Sequence, residues 1–444
     1  MLSAELARYI SELNYEDLPG EVVNAARIAV MDWLGSVLAG SQEEPAKMTA
    51  SIIDRAGGNP QATLIGFERK SSALNAALLN GLSCHILELD DLHRSSILHP
   101  AAPIISAAAA AAEELEKGGT DFIVSLVAGF EVGIRIAEAV TPSHYYYWHT
   151  TATCGTFGAM AAAAKIYNLK PEEIVYALGN AGSQAAGLWE FLEDGAMTKH
   201  LHPGKAAMNG LLSAQLAGEG FTGASKILEG RKGFFRATAP QYHTEKVTEG
   251  LGREYRILGN SYKIYPSCRH THNAVDLALK LRAGGLEPDT IDSIRVKTYS
   301  NAVDLVGAPD YSTPYKAKFS LPYCVARAFA DGTVDLGSFD LSKPVPGRVK
   351  RLTGLCTVIA DRQIEEAYPG KWAAAMEVKL KNGTVLTGRT DYPRGDPENP
   401  ASSEDMQDKF RKLAARCWPE EKVENTLEKL GRIEGLEHLE VLFN

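Results

Sequence analysis

The chain has 444 residues, 45% of them hydrophobic, enough for two or three ordinary globular cores. Its formal net charge of -9 excludes the clustered positive surface that nucleic acid or an anionic membrane demands, so an anionic ligand must be caught by a local basic pocket. Six cysteines (Cys84, Cys154, Cys268, Cys324, Cys356 and Cys417) are scattered without a CxxC pair, and read as reduced thiols rather than disulfides or zinc ligands.

The first segment, "MLSAELARYISELNYEDLPGE", is amphipathic and acidic where a signal peptide would be basic and then apolar, and no uncharged run reaches membrane-spanning length. A cytoplasmic protein with no membrane contact is the expectation. From residue 1 to 260 the pattern is helical: "EVVNAARIAVMDWLGSVLAG", "APIISAAAAAAEELEKG" and "TFGAMAAAAKIYNL" carry apolar residues at helical spacing, and so much alanine lets helix axes approach closely. Residues 261–397 change character. "TIDSIRVKTYSNAVDLV" alternates, "SLPYCVARAFADG" reads as a helix, and "AMEVKLKNGTVLTGRTDY" is a hairpin about Asn382-Gly383. Residues 398–444 are helical again and are expected to return to the first domain. The fold class predicted is mainly α: a large all-helical domain, discontinuous in sequence, with a smaller α/β domain.

Titratable residues gather just ahead of the predicted helices. "ELDDLHRSSILHPAAP" brings Glu88, Asp90, Asp91, His93, Arg94 and His99 before one helix, and "WHTTATCG" brings His149 before another. "TKHLHPGKAAMNG" brings Lys199, His200, His202 and Lys205 before "LLSAQLA"; "KIYPSCRHTH" brings Lys263, Arg269, His270 and His272 before "NAVDLALKL". A helix start already offers unpaired N-H groups and partial positive charge, so basic residues there suit a carboxylate or phosphate if the ends converge. There is no HExxH, GxGxxG or GxxxxGK[ST], so neither a metal nor a nucleotide cofactor is expected. Cys268 beside Arg269 and His270 is a minor candidate for a reactive thiol or a ligand contact.

Taken together and in order, "DWLGSVLAG", "ELDDLHRSSILHPAAP", "GFEVGIRI", "HTTATCGTFGAMAAAAKIYNL", "KHLHPGKAAMNG", "YKIYPSCRHTH", "FSLPYCVARAFADG" and "YPRGDPENP" resemble the MmgE/PrpD family, which includes 2-methylcitrate dehydratase, cis-aconitate decarboxylase and iminodisuccinate epimerase. The resemblance implies a helical domain with an α/β lid, a homodimer, an active site between the domains and no cofactor. It also implies catalytic roles for His99, His149, Lys199, Lys263 and Tyr323, with Asp90 and Asp91 in the acidic stretch lining the cleft. Where the decarboxylase carries a histidine two residues after the proline of the KxxP segment, Pro266 is followed here by Ser267 and Cys268.

The implied chemistry is proton transfer at a carbon beside a carboxylate of a small di- or tricarboxylate. A histidine serves as base near neutral pH without adjustment, whereas a lysine must fall by about three units, at roughly 4 kcal/mol. His149 is therefore the expected base and His99 its partner, with Lys199, Lys263 and Arg269 as charge clamps. His270, Tyr145, His202, Lys205 and Cys268 are expected substrate contacts. The reaction expected is a dehydratase of the 2-methylcitrate type, with an iminodisuccinate-like epimerase as alternative and cis-aconitate decarboxylation or a non-catalytic anion-binding scaffold behind it.

Overall fold

The computed structural model describes residues 1–443. Its contacts divide the chain into two compact units: residues 1–86, 90–261 and from 402 onward form the first, and residues 87–89 with 262–401 form the second.

The first unit is a stack of helices whose packing follows from small residues. Ala101–Glu114 is buried from Ala101 to Glu113, because six successive alanines offer no bulk on any side. It packs with Ala73–His85, Thr150–Ile166 and Thr198–Gly218, and the Thr150 helix also lies along Gly119–Val140. Gly204 shows how close the axes come: a Cβ there would meet the Leu78 carbonyl oxygen at 2.3 Å. Gly20–Ser41 has the length and hydropathy to cross a membrane, but 72% of its apolar stretch is buried. Ser403–Ala414 packs on that same helix. There Lys409 Nζ meets the buried Asp32 carboxylate at 2.5 Å.

Short strands occur here that the helical pattern did not announce. Leu92–His93 pairs antiparallel with Asn260–Ser261, and Ala62–Leu64 with Arg69–Ser71. Two- and three-residue strands are too short for alternation to register.

The second unit is built on a four-stranded sheet in the order Cys356–Ala360, Ile291–Thr298, Ala374–Leu380, Val385–Thr390. The first pair is parallel and the others antiparallel. The hairpin turns at Asn382-Gly383, with Gly383 at φ +86 and its N-H donating to Leu380 O at 2.9 Å. The alternating segment from Thr290 splits: Ile291–Thr298 is strand, but Ser300–Val306 is helix. His272–Ala283 packs on the Ala374 strand and Leu321–Asp331 on the Cys356 strand.

Candidate active site

Ala73–His85 delivers His85 at its last residue, and the chain then turns through Asp90 and Asp91. Asp90 Oδ2 accepts from His85 Nδ1 at 2.6 Å and lies 3.4 Å from His99 Nδ1. Burial alone would push Asp90 up, but the two imidazoles outweigh it and hold the carboxylate well below its ordinary range. Asp91 goes the other way, pushed well up by burial and then by the charge of Asp90. The adjacent carboxyls are thus shifted in opposite directions, Asp90 by its imidazole neighbours and Asp91 by burial. Asp91 instead caps the next helix, accepting from Ala101 N at 3.1 Å and from Asn260 Nδ2 at 2.7 Å.

The loop from His93 to His99 is held in an unusual shape. Ile97 has φ +48, a left-handed conformation costly for a β-branched residue, and Thr150 Oγ1 donates to its carbonyl. His99 emerges from this loop with its backbone N-H donating to Thr151 Oγ1 at 3.1 Å and with ring Nδ1 donating to Asp91 O at 2.6 Å. Its side chain is 12% exposed.

His149 occupies the N-cap position of Thr150–Ile166. Its Nδ1 is 3.0 Å from His202 Nδ1, so one of the two rings donates and the other accepts. Burial first, then His202, His85, Lys199 and His99, hold His149 well below the ordinary histidine value. Burial, His85 and the lysines Lys205 and Lys199 lower His202 to about 4. Both rings are neutral near pH 7. Ring centroids lie at 4.8 Å for His85 and His99, 5.7 Å for His85 and His149, and 6.5 Å for His99 and His149. Trp189 covers His149 at 4.8 Å, and Tyr145 meets Trp189 edge-on at the same separation.

Lys199, His202 and Lys205 do not precede a helix as the sequence suggested, for the helix already starts at Thr198 and runs through Pro203. Pro203 falls early in it and forfeits one backbone bond. His93 and His144 are buried elsewhere in the unit. His144 bonds Thr153 Oγ1 at 2.8 Å and Thr238 O at 3.2 Å.

The second unit carries the remaining candidates. Lys263 Nζ is 3.1 Å from Glu88 Oε2, both buried. Arg269 pairs with Asp396, and its Nη1 donates to Arg394 O at 3.1 Å and approaches His272 Nδ1 at 3.0 Å. The Tyr323 hydroxyl donates to Ser338 O at 2.8 Å and accepts from Arg327 Nε at 3.1 Å. His270 stacks on Trp372 at 4.4 Å and bonds Tyr299. Cys268 is buried, and its backbone N-H donates to Lys318 O at 3.0 Å.

Two residues with site geometry, His85 and Glu88, were not selected from the sequence. His85 reads there as the end of an apolar helix, and Glu88 as one acid among three. Among the described residues, His85, Asp90 and His99 also set one potential metal-ligand atom each within 4.8 Å of one another. Within this group His85 Nδ1 hydrogen-bonds Asp90 Oδ2 at 2.6 Å and His99 Nδ1 hydrogen-bonds Asp91 O at 2.6 Å.

A family model for the MmgE/PrpD N-terminal domain matches residues 4–246, and one for the MmgE/PrpD C-terminal domain matches 265–431. The chain belongs to the MmgE/PrpD family. Among MmgE/PrpD relatives, a cis-aconitate decarboxylase-like protein, oryM, of Aspergillus oryzae is 29% identical, covering 95% of this chain and 92% of its own. A cis-aconitate decarboxylase of Aspergillus terreus is 27% identical over 100% of this chain and 96% of its own. The cis-aconitate decarboxylase of Homo sapiens is 25% identical over 99% and 93%.

Proposed function

We propose that this MmgE/PrpD protein is a lyase acting on a small tricarboxylate, moving a proton at a carbon beside a carboxylate. The observation that carries the reading is the group His99, His149, His202 and Asp90, with Lys199 close enough to lower two of the rings. His149, neutral and buried, is the base: with Nδ1-H donating to His202, its lone pair is on Nε2. The carbanion left behind spreads its charge onto the adjacent carboxylate as an enolate-like species. Lys199 and the N-terminal N-H groups of the Thr150 helix stand ready for that charge before it forms, usually the largest catalytic contribution. His99, backed by the ionised Asp90, supplies the opposite proton.

Two finer readings divide the tricarboxylate lyases. Dehydration needs a base and an acid, and the pair of a neutral His149 and a carboxylate-backed His99 supports it. Decarboxylation of cis-aconitate needs a charge clamp and a proton donor, and the printed names of the relatives support that. Proton NMR in D2O with 2-methylcitrate, citrate, cis-aconitate and iminodisuccinate separates them. Carbon dioxide release marks a decarboxylase; a new vinyl proton with all carbons retained marks a dehydratase. Exchange or inversion at one carbon without net loss would make the protein an epimerase, and no reaction with any of the four would remove the proposal. The homodimer belongs to the same reading, and a light-scattering mass of one chain would remove it.

A further inference from the structure

We propose that His85 is a positioning residue of this site, sharing the Asp90 carboxylate with His99 so that His85 governs how readily His99 holds its proton. The inference rests on the lyase reading for its purpose, but not for its geometry. One oxygen, Asp90 Oδ2, serves both rings, accepting from His85 Nδ1 at 2.6 Å and lying 3.4 Å from His99 Nδ1. His85 and Asp90 are both 0% exposed, so water does not compete for that oxygen. The two rings meet edge to face at 4.8 Å.

The second observation is at the other end of the His85 ring. Its Nε2 is buried with no hydrogen-bond partner among the described residues, a costly state for a purely structural histidine. Charged and titratable groups face the pair from each packed element: Asp90 from the turn that follows His85, His149 from the Thr150 helix, and His202 and Lys199 from the Thr198 helix. Both rings draw on the one Asp90 oxygen, and the strength of the His85 bond sets how much of the carboxylate's charge His99 feels.

In the proton step, His99 Nε2-H gives its proton to the substrate or to the departing oxygen, while Nδ1-H stays bonded to Asp91 O. The positive charge leaves with that proton, and Asp90 remains ionised against the His85 donor. The neutral His99 regains a proton from solvent or product to close the cycle, so protons balance without a further reagent.

Replacing His85 by Leu removes that donor from Asp90 Oδ2. The titration midpoint of His99 then rises by about one pH unit. His85→Gln, whose amide can donate to the same oxygen, restores most of the wild-type value and remains informative if the Leu variant fails to fold. The measurement is NMR of histidine labelled at Cε1, in EDTA-containing buffer without substrate, with His99→Gln identifying the signal. A His99 midpoint that is the same in wild type, His85→Leu and His85→Gln would overturn the proposal. Where turnover is found, the pH limb of kcat/KM assigned to His99 moves with that midpoint and kcat falls more than KM changes. A shifted midpoint in a protein inactive on every tricarboxylate would sink the lyase reading and leave the His85 coupling standing.

Discussion

At the scale of single residues, His149 works as a base only while it stays neutral, and burial, the neighbouring rings and Lys199 keep it so. Removing the cation relieves part of this, so Lys199→Met lets the His149 pKa rise and moves the acidic limb of kcat/KM to higher pH. The same variant loses the charge clamp, and kcat/KM falls about 10²-fold or more at the optimum. A pH profile with an unmoved limb and undiminished rate would take Lys199 out of the site. Glu88 and Lys263 make a separate case, because each is a buried charge that the other offsets. Removing one partner of a buried ion pair costs about 3–5 kcal/mol. Glu88→Gln and Lys263→Met should each lower stability on that scale, and the double variant should recover part of it in chemical denaturation. Additive losses would mean that the pair is not coupled. Lys263 stood out in the sequence because lysine ahead of a helix invites an anion. Glu88 did not, since acids in a polar stretch look alike until one of them is buried at φ +59 beside a cation.

Among elements, what the sequence made legible was whatever depends on local periodicity. The Gly20, Ala101 and Thr150 helices, the Leu321 helix and the Asn382-Gly383 hairpin all follow from spacing and turn chemistry within one segment. The Cys356–Ala360 strand was not legible, for it owes its conformation to parallel pairing with Ile291–Thr298, more than fifty residues away. The His93–His99 loop was opaque for the same reason: the carbonyl of left-handed Ile97 is bonded by Thr150, which lies far along the chain at the start of a helix. Helix approach decides the site as well. The helix carrying Lys199 and His202 passes the helix ending in His85 at Gly204, where a methyl group would lie 2.3 Å from Leu78 O and 3.0 Å from Leu82 N. Gly204→Ala must push these helices apart, so it should cost about 2 kcal/mol or more and depress activity beyond the loss of folded protein. Gly354→Ala, where nothing lies within 4 Å of the added atom, is the control and should be neutral or stabilising by up to about 1 kcal/mol. Equal behaviour of the two variants in thermal melts would show that the close approach is dispensable.

For the whole molecule, the same burial that keeps site histidines neutral makes acid an enemy of the fold. His93, His144 and His202 are each lowered to about 4, and His149 lies well below its ordinary value. A histidine whose folded pKa lies below its unfolded value binds a proton more readily in the unfolded chain. Its stabilising contribution is therefore complete above about pH 6.5 and is lost as pH falls toward the folded value. Asp91, Glu113, Glu131 and Asp276 are raised by burial and act in the opposite sense, so the wild-type curve alone is a sum of opposed slopes. His144 isolates one contribution. Its shift comes from burial, opposed only by its bond to Thr238 O, and its bonds to Thr238 O and Thr153 Oγ1 suit a neutral ring with one donor and one acceptor. Between pH 7.5 and 5 it should cost the fold about 2 kcal/mol. His144→Gln keeps a donor and an acceptor but cannot titrate, so it should be less stable than wild type at pH 7.5 by its packing loss, yet lose about 2 kcal/mol less on acidification. Urea denaturation at both pH values reads the difference directly, and parallel slopes for the two proteins would mean that His144 is protonated as easily folded as unfolded.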